Sequence, residues 1–275
     1  MIVVEKVSEL RKLLANRGSI GFVPTMGALH RGHISLISRA RAENDTVVCS
    51  IFVNPTQFND KKDLANYPRT PEEDKKLLSE AGCDVLFQPS VDEIYPDETL
   101  LDIDFGPLER VMEGQFRPGH FRGVATVVHR LFEIVQPNRS YFGKKDFQQL
   151  AIIKEMNRRL SPEIAIIGCA TLRENDGLAM SSRNIHLTDE ERSKAGIIFE
   201  TLNWVSKSIQ SDKITSIQTQ AIARIESVAN FKVQYLEMVD NEMLQPITKW
   251  DPNIPQRVCV AVLTSRTRLI DNIAL

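Results

Sequence analysis

Residues 20–33 constrain this chain more than any other stretch. An apolar run, residues 20–23, stops at Pro24, and Thr25-Met26-Gly27-Ala28-Leu29-His30-Arg31-Gly32-His33 follows. Beyond it Ile34, Leu36, Ile37 and Ala40 recur at helical spacing. The pattern reads as strand, tight loop and helix, with His-x-Gly-His at the helix entrance. A helix N-terminus carries unpaired N–H groups and a partial positive charge, so it suits phosphate. Gly27 and Gly32 would let a ligand approach the backbone closely. His30 and His33 are then placed to donate to phosphate oxygens as charge builds in a transition state. His-x-x-His alone also suits a metal or a structural role. Two of the chain's five histidines at one turn give the phosphate reading its weight.

At 275 residues the chain is long enough for one large domain or two modest ones. A net charge of −2 suggests no bulk attraction to nucleic acid or to membranes. No signal peptide is expected, and no apolar run approaches the length of a membrane span. Cys49, Cys83, Cys169 and Cys259 are scattered and form no Cys-x-x-Cys. Cys49 and Cys169 sit in apolar runs and read as buried thiols, so a reduced, cytoplasmic setting is the default.

Through about residue 170 strand and helix patterns alternate. Residues 46–53 form a near-continuous apolar run ending in Asn54-Pro55, as in a strand buried on both faces. Thr70-Pro71-Glu72-Glu73 predicts a helix start, with Thr70 as N-cap and Glu73 closing a capping box; that helix ends at Gly82. Strands are expected at 85–88, 139–142 and 163–169, and helices at 123–135 and 146–160. The order implies an α/β fold, a parallel sheet with right-handed crossovers and helices on both faces. Ligands of such sheets bind beyond the carboxyl ends of the strands. Residues 24–26, 54–57, 143–146 and 171–173 fall there, so four segments converge on one edge. After about Asp176 the pattern changes to helices at 188–211 and 216–229 and strands at 233–239, 258–263 and 267–273, a smaller α+β unit. Thr188 with Glu191 three residues on caps the first of these helices. The polar segment 175–184 reads as a hinge across a cleft, dividing the chain into residues 1–175 and 176–275.

Other constellations fall at the same edge. Neither a P-loop nor a Gly-x-Gly-x-x-Gly fingerprint occurs, which disfavours P-loop phosphoryl transfer and the usual dinucleotide binding. In Phe142-Gly143-Lys144-Lys145-Asp146-Phe147-Gln148-Gln149 a lysine can lie against a triphosphate, or both lysines can be solvated loop charges. Met180-Ser181-Ser182-Arg183 offers hydroxyls and a guanidinium for phosphate, or a simple turn. Gln57 and Gln149 can donate to a carboxylate and accept from a hydroxyl; each alone also suits the surface. Arg117-Pro118-Gly119-His120-Phe121-Arg122 is a basic loop with anion contacts or a structural turn as its readings. Glu72, Glu73 and Asp74 read first as first-turn acids favoured by the helix dipole, with magnesium as the alternative.

These stretches, with Ser50-Ile51-Phe52-Val53-Asn54-Pro55-Thr56-Gln57-Phe58, Tyr67-Pro68-Arg69-Thr70, Asp176-Gly177-Leu178-Ala179-Met180-Ser181-Ser182-Arg183-Asn184 and Arg268-Leu269-Ile270-Asp271-Asn272, occur in order along nearly the whole chain. Together they resemble the pantothenate synthetase (pantoate–β-alanine ligase) family; His-x-Gly-His alone marks a wider nucleotidyltransferase group. The resemblance implies a Rossmann-like domain, a smaller C-terminal α+β lid and a cytoplasmic homodimer. It implies that pantoate attacks ATP to give pantoyl adenylate and pyrophosphate, after which β-alanine displaces AMP. Magnesium accompanies ATP. Met26, Gly27, Ala28, Leu29, His30, Arg31, Gly32 and His33 would bind ATP, with His33 a proton donor and His30 a phosphate partner. Gly143, Lys144, Lys145, Asp146, Leu172, Met180, Ser181, Ser182 and Arg183 would complete that site. His33, His30, Lys145 and Arg183 would carry the catalysis. Gln57 and Gln149 would hold pantoate, Gln57 lying also near β-alanine. The family often has Glu where this chain has Lys144, so the lysine role rests on Lys145. Two competing readings are another His-x-Gly-His nucleotidyltransferase with a phosphorylated acceptor, and a non-catalytic nucleotide sensor.

Overall fold

The computed structural model describes residues 1–58, 61–97, 100–209 and 213–275. The strands are β1 (Ile2–Val4), β2 (Ile20–Thr25), β3 (Thr46–Ile51), β4 (Val85–Phe87), β5 (Arg139–Gly143), β6 (Ala165–Cys169), β7 (Lys232–Asp240), β8 (Gln256–Leu263) and β9 (Arg268–Ala274). Helices α1 (Val7–Leu14), α2 (Arg31–Glu43), α3 (Lys61–Asn66), α4 (Pro71–Glu80) and α5 (Val91–Ile94) precede α6 (Met112–Phe116), α7 (His120–Val135) and α8 (Phe147–Leu160). Helices α9 (Asp189–Lys194), α10 (Ile197–Ser208) and α11 (Ile214–Glu226) follow.

β1 to β6 make one parallel sheet in the order β1-β4-β3-β2-β5-β6. Successive residues of a strand serve opposite faces. Phe22, Val48 and Phe142 join a core with residues of α1, α7 and α8, whereas Val23, Val47, Cys49 and Tyr141 join one with residues of α2 and α4. Both faces are covered, which accounts for the unbroken apolar run of β3. The strand order reverses between β2 and β5, the place where such sheets leave a crevice. β2 runs through Pro24 to Thr25 instead of stopping at the proline. Odd-numbered residues there turn their carbonyls to β3: Thr46 N donates to Ser19 O and Phe52 N to Thr25 O, at 3.0 Å each. Pro24 therefore turns its missing N–H toward β5, whose pairing with β2 has already ended at Phe22.

β7, β8 and β9 form an antiparallel sheet that shares a second core with α10 and α11, including Ile198, Leu202, Ile217, Leu236 and Val260. The single helix expected over 188–211 is divided. α9 has the Thr188–Glu191 capping box, at 3.0 and 3.2 Å. The chain then breaks at Ala195-Gly196, where a Cβ on Gly196 would stand 2.7 Å from Asp176 O, and resumes as α10. Ser211, the expected end, lies outside the described residues. The segment expected as a hinge is a folded turn: Arg173 bridges Ala179, and Met180 N donates to Leu172 O at 3.0 Å. All four cysteines are buried and unpaired with one another. No helix among the described residues is long and apolar enough to cross a membrane.

Candidate active site

The segments that follow β2, β3, β5 and β6 line one cleft of about 950 Å³, and β9 lines it as well. Met26, His30, Gly32, His33, Gln57, Gly143, Lys145, Asp146, Gln149, Leu172, Met180, Ser181, Ser182 and Arg183 all border it. Gly27, Ala28, Leu29, Arg31 and Lys144 do not.

His30 is the N-cap of α2, and His33 lies in the first turn of that helix. Their side chains interlock with the backbone. Gly32 N donates to His30 Nδ1 at 3.1 Å, and His30 N donates to His33 Nδ1 at 3.3 Å. A ring nitrogen that accepts is unprotonated, so each neutral imidazole carries its proton on Nε2. Burial, and after it the Lys145 charge, lowers His30 to about 4. Burial, His30 and then Lys145 lower His33 to about 3. At neutral pH both side chains are therefore uncharged Nε2–H donors, with ring centroids 4.1 Å apart. Gly32, expected to admit a ligand, is needed by the ring itself: a Cβ there would stand 2.8 Å from His30 Cε1.

The turn leading into His30 is held from α4. Gly27 (φ +82°) and Ala28 (φ +48°) are both left-handed. Ala28 N and Leu29 N donate to the Asp74 carboxylate at 2.9 and 2.7 Å, and Thr70 Oγ1 donates to it at 3.0 Å. Asp74 is only 1% exposed. Thr70 thus gives its hydroxyl to Asp74, and the capping box expected with Glu73 does not form. Glu72 pairs with Lys75 at 2.9 Å. Sequence reasoning grouped Asp74 with its acidic neighbours. The available signal was its place four residues before Leu78, on the stripe that α4 buries.

Of the two lysines, one reaches the cleft. The Lys145 side chain is 18% exposed, with Nζ 3.6 Å from Asp146 Oδ1. Lys144, placed among the nucleotide-binding residues by resemblance, is directed elsewhere. Its Cε would lie 3.3 Å from a Cβ on Gly168 of β6. Gln57 is buried; its Nε2 donates to Met26 Sδ at 3.0 Å and its Oε1 accepts from Asn54 Nδ2 at 3.1 Å. The basic loop braces it from behind. Arg117 Nη1 stands 3.2 Å from His120 Nε2, and His120 Nδ1 2.9 Å from Gln57 O. Arginine can only donate, so Nε2 accepts and Nδ1–H donates to the carbonyl. Burial and then the Arg117 charge lower His120 to about 4. Gln149, within α8, borders the cleft, and among the described residues its carboxamide makes no hydrogen bond. Its neighbour Gln148 is fully engaged, donating to Leu108 O and Val111 O at 2.7 and 2.8 Å and accepting from Glu113 N at 3.0 Å.

Ser181 Oγ accepts from Arg183 N at 3.3 Å, and the Arg183 guanidinium lies 5.9 Å over the Tyr67 ring. Strand β9 ties the antiparallel sheet to α6 and to the segment after β6. Arg268 forks onto Glu113 at 2.7 and 2.6 Å, and Asp271 accepts from Arg173 at 2.6 and 3.0 Å. Tyr235 donates to the same Glu113 at 2.7 Å. Among the described residues no three His, Cys, Asp or Glu side chains are grouped to hold a metal ion. The cleft thus combines neutral N–H donors, fixed cations and amides, a set that can position and neutralise phosphate without a covalent intermediate.

A family model described as pantoate-beta-alanine ligase matches residues 2–274. A pantothenate synthetase of Azobacteroides pseudotrichonymphae is 52% identical over 275 residues, covering 98% of this chain and 97% of the relative. Another, of Bacteroides thetaiotaomicron, is 47% identical over 266 residues, covering 97% and 94%. The crystal structure of pantothenate synthetase from Thermus thermophilus superposes with a TM-score of 0.93 at 45% identity, over 99% of each chain. That of pantoate-beta-alanine ligase from Francisella tularensis, complexed with beta-gamma ATP and beta-alanine, gives 0.83 at 38% identity, over 99% of this chain and 97% of the other. Matched in sequence and in fold over nearly its whole length, this chain belongs to the pantoate–β-alanine ligase family.

Proposed function

We propose that this protein condenses pantoate with β-alanine in an ATP-dependent reaction that passes through a pantoyl adenylate. A pantoate carboxylate oxygen attacks the α-phosphorus of ATP, and pyrophosphate leaves. The β-alanine amine then attacks the acyl carbon and loses a proton, the acyl C–O bond breaks, and AMP leaves. The observation that carries this reading is the pair His30 and His33, held neutral with Nδ1 engaged by backbone N–H, in a cleft shared with Lys145 and Arg183. Neutral donors stabilise growing phosphate charge without repelling the lysine beside them. Lys145 and Arg183 oppose the triphosphate charge. Met26, His30, Gly32, His33, Gly143, Lys145, Asp146, residues 180–183 and the Leu172 backbone surround the nucleotide, while Gly27, Ala28, Leu29, Arg31 and Lys144 stand behind these without bordering the cleft. Gln149, with its carboxamide open, and Gln57 hold pantoate, and Gln57 lies near β-alanine.

Magnesium enters as part of the nucleotide substrate. Mg²⁺ takes one or two carboxylates together with phosphates and water. Asp146, its side chain 44% exposed at the cleft, offers an oxygen of that kind. The core shared by α10, α11 and the antiparallel sheet supports a C-terminal α+β part at 176–275, and the parallel sheet's core, against which Val239, Leu244 and Cys259 also pack, supports a nucleotide- and pantoate-binding part at 1–175. The family resemblance supports a homodimer, and four buried free thiols suit the reducing cytoplasm.

Isotope exchange between pyrophosphate and ATP tests the mechanism. It should require pantoate and magnesium but not β-alanine. Exchange that appears only with β-alanine, or ADP as the nucleotide product, would overturn it.

A further inference from the structure

The lysine that faces the cleft stands on a turn that the parallel sheet does not hold by itself. After β5 the chain passes through a single 3-10 turn, Lys144–Asp146, before α8 begins, and no side chain caps that turn. Its carbonyls are instead taken up from the antiparallel sheet. Asn272 Nδ2 on β9 donates to Lys144 O at 3.0 Å and to Lys145 O at 2.8 Å. Asn272 is 5% exposed, and its Oδ1 accepts from Arg257 Nη1 on β8. The Arg257 guanidinium is stacked 3.9 Å over the ring of Phe147, the first residue of α8. With its oxygen on a guanidinium, the carboxamide has one orientation, amide hydrogens toward the two carbonyls. Both hydrogens of one buried –NH₂ therefore serve adjacent peptides of the Lys144-Lys145 turn. β9 is itself tied down by Arg268 to Glu113 and by Asp271 to Arg173.

We infer that Asn272 is a positioning residue for adenylation: from the antiparallel sheet it fixes the Lys144-Lys145 peptide and so keeps the Lys145 ammonium aimed at the triphosphate. The inference rests on the reading of Lys145 as a phosphate ligand. Asn272 acts only through that side chain. The C-terminal sheet is then a working part of the phosphate site as well as its cover.

A double-mutant cycle on pyrophosphate–ATP exchange tests this, with the residual rates read at high enzyme concentration. Asn272→Ala should slow exchange on the order of tenfold to a hundredfold, the effect of a misplaced catalytic group. In a Lys145→Ala background the same change should slow it by no more than about twofold, because the shared target is gone. KM for pantoate should stay unchanged. Asn272→Asp, the same size and still a partner for Arg257, turns the two donors into an acceptor against the carbonyls. It should repeat the loss, and it carries the cycle if Asn272→Ala fails to fold by circular dichroism. Equal fold-losses in both backgrounds, or wild-type exchange in the single variant, overturn the role of Asn272 alone. Wild-type exchange in Lys145→Ala removes the reading of Lys145, and this inference with it.

Discussion

An Asp74→Asn substitution should loosen the histidine loop while changing the identity of no residue that borders the cleft. The carboxylate accepts Ala28 N on Oδ2, and Leu29 N together with the Thr70 hydroxyl on Oδ1. An asparagine keeps one acceptor oxygen, which the pair on Oδ1 will claim. Its –NH₂ then faces Ala28 N, donor against donor. The lost hydrogen bond to a charged group is worth ~1.5–3 kcal/mol, and a buried donor left unsatisfied costs ~1–3 kcal/mol. The two overlap, so a net destabilisation of about 2–4 kcal/mol is expected, within the ~5–15 kcal/mol of an ordinary protein. Ala28 holds a left-handed backbone that costs an alanine on the order of 1–3 kcal/mol. Once its N–H is released the turn relaxes, and His30 shifts with it. Urea unfolding should show a lowered midpoint at unchanged slope. Pyrophosphate–ATP exchange by the folded fraction should fall at least about tenfold, since small misplacements of catalytic groups are that costly. An unchanged midpoint would refute the clamp. A lowered midpoint with wild-type exchange would show that the clamp stabilises the fold without shaping the site.

Deleting the second histidine, His33→Ala, should remove at least ~2.7 kcal/mol of barrier lowering, about a hundredfold in exchange rate; a folded variant with near-normal exchange would contradict the donor role. Because His30 and His33 titrate at about 4 and about 3, exchange should show no histidine limb from about pH 7.5 down to about pH 5; a midpoint near 6.5 would mean that a charged imidazole is used. The same depression, with His120 also at about 4, has a sign for stability. Below about pH 6.5 the unfolded chain binds protons that the folded one refuses, so stability is full above that pH and falls as pH drops toward 4. Gln149→Ala should raise KM for pantoate about tenfold at unchanged stability, whereas Gln148→Ala, stranding Leu108 O, Val111 O and Glu113 N, should lower stability by ~2 kcal/mol. Equal behaviour of the two variants would show that the pocket was assigned to the wrong glutamine.

The parallel sheet and the histidine turn were legible because both are local patterns. The apolar run of β3 announces burial on both faces, and a strand-loop-helix with His30 at the helix entrance announces itself by spacing. What could not be read depends on contacts across long stretches of chain. Glu73 occupies the capping-box position by rule, yet Asp74 takes the Thr70 hydroxyl, because Ala28 and Leu29 offer it two further donors. The pattern over 188–211 is continuous, yet the helix breaks where the Gly196 backbone meets Asp176. Lys144 and Lys145 are alike as residue types; the family resemblance favours Lys145, and the place of the Lys144 side chain beside Gly168 of β6 shows why only Lys145 borders the cleft. Asn272 belonged to a recognised motif whose work lies more than a hundred residues upstream in sequence.

The early end of the pairing between β2 and β5 makes the sheet a pair of jaws. Among the described residues, strand pairing between β2 and β5 covers Gly21 with Arg139 and Phe22 with Ser140, and Arg139 and Tyr141 of β5 also hydrogen-bond the C-terminal end of α2. The hinge pin is aromatic: Phe132 of α7 meets Phe22 of β2 and Phe142 of β5 edge-on, each at 6.5 Å between centroids. The gape at the mouth is therefore set by the thickness of the packing at the root. Trimming Phe132 would change the distance between His33 and Lys145 without altering any group that touches a substrate. Packing at Phe132, far from any substrate, is thus coupled to chemistry at the rim.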